Sequence, residues 1–254
     1  MIELSLVGIG SGNPEHLTLQ AVRALNEADL ILIPEKGAAK DELAQIRREI
    51  CRNVLTDDTP IVGFTLPVRD EEITEYDARV NDWHDRIAVI WKQTIETHLP
   101  EGGTVAFLVW GDPSLYDSTL RIADRVKSKM SLDIKVIPGI TSIQTLTAAH
   151  AMPVNTINGP FTVTTGRRLR DEGMPAGMDK VVVMLDGECS FTKLNPEGLY
   201  IHWTAYAGME GEISLSGPLS QMTNVIIETR KAARKERGWI MDIYMLSTGD
   251  HLLA

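Results

Sequence analysis

The apolar and polar positions of the first half alternate between two periods. Residues 2–9 are apolar, partly β-branched, and end among Gly8, Gly10 and Gly12, which predicts a strand running into a tight loop. Pro14 suits a first helical turn, and Leu17, Ala21, Ala24, Leu25 and Ala28 recur at helical spacing behind it. A strand over 30–33 stops at Pro34, a charged amphipathic helix covers 40–51, and a short strand covers 61–66. A long helix spans 71–98, with Tyr76, Val80, Trp83, Ile87, Ile90, Trp91 and Ile95 close to one face. Then come a strand over 104–109, a helix over 115–127, a strand over 134–137, and a helix from Pro138-Gly139 to about residue 151.

Strands alternating with helices imply a mostly parallel sheet covered on both faces. The stretch "AMPVNTINGP", 151–160, holds two prolines, two asparagines and a glycine and reads as a linker. Beyond it the rhythm changes. Strands are expected at 161–165, 180–185, 200–204, 212–215, 225–228 and 239–245, with fewer helices between them. The fold class is therefore α/β in two domains. Residues 1–152 form a mostly parallel domain, and residues 161–254 form one with a mixed or partly antiparallel sheet.

Every connection leaving the carboxyl end of a first-half strand is rich in Gly or Pro: "GIGSGNP", "IPEKG", "WGDP", "IPGI". In parallel α/β sheets ligands sit outside that edge, so four specialised corners there predict a binding crevice. "GDP" at 111–113 has a plainer explanation in part. Asp112 suits a helix N-cap and Pro113 a first helical position. Neither explains Gly111, which lets a backbone come close to a ligand.

Charge narrows the partner class. The formal net charge is −10, which disfavours a general nucleic-acid role, because phosphate affinity rests on Lys and Arg. The basic run "GRRLR", Gly166 to Arg170, stands out against that background as a holder of carboxylates or as a solvated surface. Two scattered cysteines suit a reducing compartment. No apolar stretch reaches the roughly 20 residues of a membrane helix, and the first residues have no basic flank, so a cytoplasmic protein is expected. The six histidines show no metal-ligand spacing, so no metal is expected. "VGIGSGNPEHLT" is a near miss to a dinucleotide fingerprint. Asn13 stands where G-x-G-x-x-G needs its third glycine, which keeps a nicotinamide-dependent oxidoreductase only as an alternative.

Three ordered stretches, "GIGSGNPEHLTLQAVRALNEADLIL", "WGDPSLYDSTLRI" and "IPGITSIQTLTAAHAMPV", together resemble the tetrapyrrole methylases of corrin and sirohaem synthesis. "LIPEKGAAKDELAQIRREIC", "VVMLDGECSF" and "GWIMDIYML" resemble the branch that methylates precorrin-5 at C1 and releases acetate to give precorrin-6A in aerobic cobalamin synthesis. Other precorrin C-methyltransferases are the nearest alternatives. The resemblance implies two α/β domains with the active site in the inter-domain cleft, a homodimer, S-adenosylmethionine as cofactor and a tetrapyrrole as substrate.

The resemblance also implies site residues. Trp110, Gly111, Asp112, Pro113, Leu115, Thr141 and Ser142 would line the cofactor from the first domain. Leu185, Ala207 and Asn224, at the start of a strand over 223–225, would close it from the second. Ser11, Lys36, Tyr116, Arg167 and Arg168, with Arg170 beside them, would face the substrate. The deacetylating water needs a general base, for which Asp117, His84 and Glu188 are the candidates. The chain departs from the family at Asn13, where Asp is common, at Trp110, where small residues are frequent, and at Asp117, where Gly is frequent.

Overall fold

A computed structural model of the chain describes residues 1–35 and 42–248. The chain divides into two compact units, Met1–Thr141 and Ser142–Ala254.

In the first unit, β1 (Ile2–Gly8) leads through a 3₁₀ turn at Pro14–His16 to α1 (Leu19–Asn26). Then follow β2 (Leu30–Glu35), α2 (Glu42–Val54), β3 (Ile61–Thr65), α3 (Tyr76–His98), β4 (Gly103–Val109), α4 (Thr119–Lys127) and β5 (Leu132–Ile137). The five strands form one sheet in the order β3-β2-β4-β1-β5, and every pairing in it is parallel. Both faces are covered, so β4 carries no polar alternation. Val105, Phe107 and Val109 pack with Trp91 and Ile95 of α3 and Ile122 of α4. Ala106 and Leu108 pack on the other face, with Ala21 and Leu25 of α1 and Ile50 of α2.

Local chemistry sets the helix starts. Residues 71–75 are not helical as expected, because the Glu75 carboxylate accepts from Asp77 N at 3.0 Å and Ala78 N at 2.5 Å and caps α3 there. Residues 115–118 are a turn rather than the first turn of α4, and Tyr116 has φ +49°. Asn13 accepts from Glu15 N at 2.9 Å, so the residue that departs from the family pattern caps the 3₁₀ turn.

The second unit holds α5 (Ser142–Ala149), β6 (Thr162–Thr165), α6 (Gly166–Glu172), β7 (Lys180–Met184), β8 (Leu199–Ala205), β9 (Ile213–Pro218), α7 (Leu219–Arg237) and β10 (Asp242–Thr248). The sheet order is β6-β7-β10-β8-β9, with β6·β7 parallel and the other pairs antiparallel, a mixed sheet as expected. Helix α5 packs on β8 and β10, and the stretch read as a linker lies between α5 and β6.

The strand expected at 225–228 is not one. It lies inside α7, so Asn224 is an exposed helical residue and not the start of a strand. Val225, Ile226 and Ile227 carry β propensity, but tertiary packing overrides it. Leu219, Ile226 and Ala233 recur every seven residues and are buried on one helical stripe. Gly238, at φ +76°, ends that helix and delays β10 to Asp242. Among the described residues no helix is long and apolar enough to cross a membrane, and Cys51 and Cys189 are free.

Candidate active site

The corners after β1, β4 and β5 meet at one edge of the first unit. These strands are neighbours, and the sheet order reverses between β4 and β1, the position where parallel sheets open a ligand crevice. Gly10 and Gly111 form an antiparallel bridge across two of the loops: Gly111 N donates to Gly10 O at 2.8 Å, and Gly10 N to Gly111 O at 3.4 Å. A Cβ on Gly8 would stand 2.6 Å from Gly139 N and 2.8 Å from Gly111 O, so all three backbones share space that only glycine leaves open. The fourth corner begins at Lys36, which lies outside the described residues.

Asp112 ties the rim together. Its Oδ1 accepts from Ser114 N at 2.8 Å and Ser114 Oγ at 2.5 Å, and its Oδ2 accepts from Gly139 N at 2.9 Å. Burial works to raise its pKa, but the bonds from the Ser114 hydroxyl, Gly139 N–H and Ser114 N–H outweigh it and hold the carboxyl below its ordinary value. Asp112 is thus a brace between two loops, and the buried Pro113 stiffens the turn behind it.

Trp110 is half-buried, its indole N–H is buried without an acceptor, and the Arg47 guanidinium lies over its ring at 4.9 Å. Leu115 N donates to Asp112 O at 3.2 Å, which folds Leu115 back against the turn. Asp117 Oδ1 accepts from Thr119 N at 2.6 Å at the start of α4. Tyr116 is 45% exposed, and Ser11 and Thr141 are half-buried in the loops after β1 and β5. His84 lies elsewhere, on α3, in the field of Arg125, Arg121 and Arg69. Burial first, and those arginines next, hold its pKa below the ordinary value, and both ring nitrogens are buried without partners.

In the second unit Leu185, at the end of β7, has φ +54° and is 67% exposed, and Cys189 has φ +55°. Left-handed backbone at such residues persists only where the surroundings hold it. Here the Asp186 carboxylate accepts from Glu188 N, Ser190 N, Ser190 Oγ and Tyr244 Oη. Arg230 donates to Asp186 O at 3.3 Å and pairs with the buried Asp242 at 2.9 Å. Ala207 is buried just after β8, Ser142 begins α5, and Asn224 is exposed on α7. On α6, Arg168 pairs with Glu172 at 2.8 Å, and Arg170 pairs with Asp171 at 2.9 Å and Glu188 at 2.8 Å, while Arg167 is exposed beside them. Glu188 is therefore an ion-pair partner in the structure.

A family model described as Tetrapyrrole (Corrin/Porphyrin) Methylases matches residues 3–223. The chain belongs to the tetrapyrrole methylases. It is 50% identical over 252 residues to a precorrin-6A synthase (deacetylating) of Sinorhizobium sp, covering 98% of this chain and 96% of that one. A solved structure of a protein of Corynebacterium diphtheriae assigned to cobalamin synthesis (CobF) superposes with a TM-score of 0.84 at 38% identity, covering 98% and 100% of the two chains. Uroporphyrin-III C-methyl transferase of Thermus thermophilus, solved with S-adenyl homocysteine, shares the fold at a TM-score of 0.62 and 19% identity, over 98% and 97%.

A Cβ on Gly111 would touch Thr141 at ordinary contact distance, 3.7 Å from its Cα, and the φ of +60° is what favours glycine there. Two features were not read from the sequence of this tetrapyrrole methylase. One is Arg47, whose signal is an arginine on the apolar stripe of α2 with Ala44 and Cys51. The other is the Asp186–Arg230–Asp242 network, whose members are far apart in sequence and show no local pattern.

Proposed function

We propose that this tetrapyrrole methylase methylates precorrin-5 at C1 with S-adenosylmethionine and releases acetate, giving precorrin-6A in cobalamin biosynthesis. The observation that carries this reading is the 50% identity along 98% of the chain to a precorrin-6A synthase (deacetylating), joined to a rim of glycine corners at one sheet edge. Bound S-adenosylmethionine supplies an electrophilic methyl group on a sulfonium. Trp110, Gly111, Leu115 and Thr141 of the first unit would hold it. Asp112 and Pro113 keep the turn rigid.

Water adds to the acetyl carbonyl, the bond from C1 to that carbonyl carbon breaks, and acetate leaves. The electron pair remains on C1, conjugated into the macrocycle as an enamine-like nucleophile, which takes the methyl group. The protein must place that carbon in line with the methyl group and keep other water out, and positioning of this kind is worth several powers of ten. Asp117 would take the proton from the attacking water, because His84 lies apart from the rim with both ring nitrogens buried. Ser11, Lys36, Tyr116, Arg167 and Arg168 are assigned to the substrate. The pair of Arg168 with Glu172 is exposed and screened by solvent, so a substrate carboxylate can displace it at little cost.

Incubation with precorrin-5 and the methyl donor, followed by NMR, tests the reading: one acetate should appear per methyl transferred. Methylation without acetate would leave the family assignment and refute the deacetylating one. A cytoplasmic homodimer belongs to the same proposal, and sedimentation should give twice the 28.1 kDa chain mass.

A further inference from the structure

Helix α2 presents Ala44, Arg47, Ile50 and Cys51 to the sheet, and all four are buried. Three are apolar. The fourth is a guanidinium that is 7% exposed in a layer built from Val7, Ile9, Ile31, Ile33 and Leu108. Burying a cation is costly unless something satisfies it, and burial lowers the Arg47 pKa to about 10 even with Asp117 pulling it up. Among the described residues no carboxylate lies within ion-pair distance of it.

Its contacts account for its position. The ladder between β2 and β4 ends at Leu32·Phe107. The carbonyl of the next β4 residue, Leu108, accepts from Arg47 Nε at 3.2 Å. Arg47 Nη1 also donates to Leu43 O at 3.3 Å, one turn back on α2. Arg47 thus bonds β4 where the β2 ladder stops, at the last residues before the rim. Its flat face covers Trp110, the first residue of the rim turn, at 4.9 Å. The same side chain therefore grips the strand end and the ring that together carry Trp110-Gly111-Asp112.

We infer that Arg47 is a positioning residue for methyl-donor binding, acting through Trp110 and the Leu108 carbonyl to set the rim turn. The inference rests on the proposed role of that turn, and it assigns Arg47 no contact with the donor. A lysine keeps the charge but loses the planar fork and the stacking face, so it should restore the function only in part.

The test uses the full chain as wild type, Arg47→Lys, Arg47→Met, Trp110→Phe and the Arg47→Met/Trp110→Phe double variant. S-adenosylhomocysteine affinity, KM and kcat for S-adenosylmethionine, and the emission of Trp110 (wild type minus Trp110→Phe) are measured. Arg47→Met should weaken S-adenosylhomocysteine about tenfold or more, the scale of one lost charge-assisted hydrogen bond, and raise KM more than it lowers kcat. Trp110 emission should shift, and in the Trp110→Phe background the loss should fall to about threefold or less. Arg47→Lys should bind between the two, and it carries the test should the methionine variant fail to fold.

Wild-type affinity in Arg47→Met, or an equal loss with and without Trp110, overturns the inference alone. Failure of the wild type to bind S-adenosylhomocysteine overturns the proposed function and the inference with it.

Discussion

Gly8→Ala places a single methyl group where three backbones converge. The new carbon would lie 2.6 Å from Gly139 N, 2.7 Å from Gly139 Cα and 2.8 Å from Gly111 O, all main-chain atoms that cannot rotate away. Reaching an ordinary contact of 3.4 Å requires the loops after β4 and β5 to part from β1 by about 0.8 Å. Overpacking of this kind costs about 1–3 kcal/mol, which for a chain of this length lowers the melting temperature by several degrees. The same displacement carries Gly139 N off the Asp112 carboxylate, and S-adenosylhomocysteine should bind about tenfold or more weakly, the scale of one lost charge-assisted hydrogen bond. Calorimetry with S-adenosylhomocysteine and thermal unfolding, both on purified protein, measure the two effects. Gly187→Ala is the control, because a Cβ there meets nothing within 4 Å, and it should stay within about 0.5 kcal/mol of wild type. A Gly8→Ala protein with wild-type stability and affinity would refute the argument that these corners share one space.

Asp112→Asn should lower stability by about 1–3 kcal/mol at neutral pH by weakening three bonds to the carboxylate. Because the folded carboxyl is held below its ordinary value of 3.8, this stabilisation is present above that pH and is lost as pH falls through the folded value. The gap between variant and wild type in urea titrations should therefore narrow below about pH 4. His202, on β8, is 2% exposed, and burial first, then His150 and Lys180, bring its pKa down to about 4 from 6.5. The unfolded chain binds the proton that the folded one refuses, so stability is full above pH 6.5 and falls by up to about 3 kcal/mol toward pH 4. His202→Phe should flatten most of that slope, and an unchanged slope would mean that His202 is not its source.

The parallel half was legible because buried strands on a two-sided sheet read as unbroken apolar runs, as 104–109 does, and because glycine and proline mark every exit from them. The rim rests on Gly8 and Gly139, needed for close backbone approach, and on Gly111, needed for its φ of +60°. What failed depended on contacts that sequence does not display. The Val225-Ile226-Ile227 triplet looks like a strand, and only the burial of Leu219, Ile226 and Ala233 on one stripe makes it a helix. Glu75 and Tyr116 set where α3 and α4 begin through hydrogen bonding and backbone conformation that the apolar pattern does not carry. The basic run on α6 was visible, but the pairing of Arg168 and Arg170 with their own neighbouring acids was not. Arg47 was hidden for the opposite reason. A charged side chain on an already charged helix draws no notice until its burial against Leu108 and Trp110 is seen.

A crystal structure of the chain with S-adenosylhomocysteine tests the central claim most directly. The account predicts the ligand's sulfur and adenosyl group against the main chain at Gly111, beside Trp110 and Thr141, with Asp112 still bonded to Gly139 N. Density for the ligand at any other place, with the three glycine corners closed on one another and empty, would contradict it.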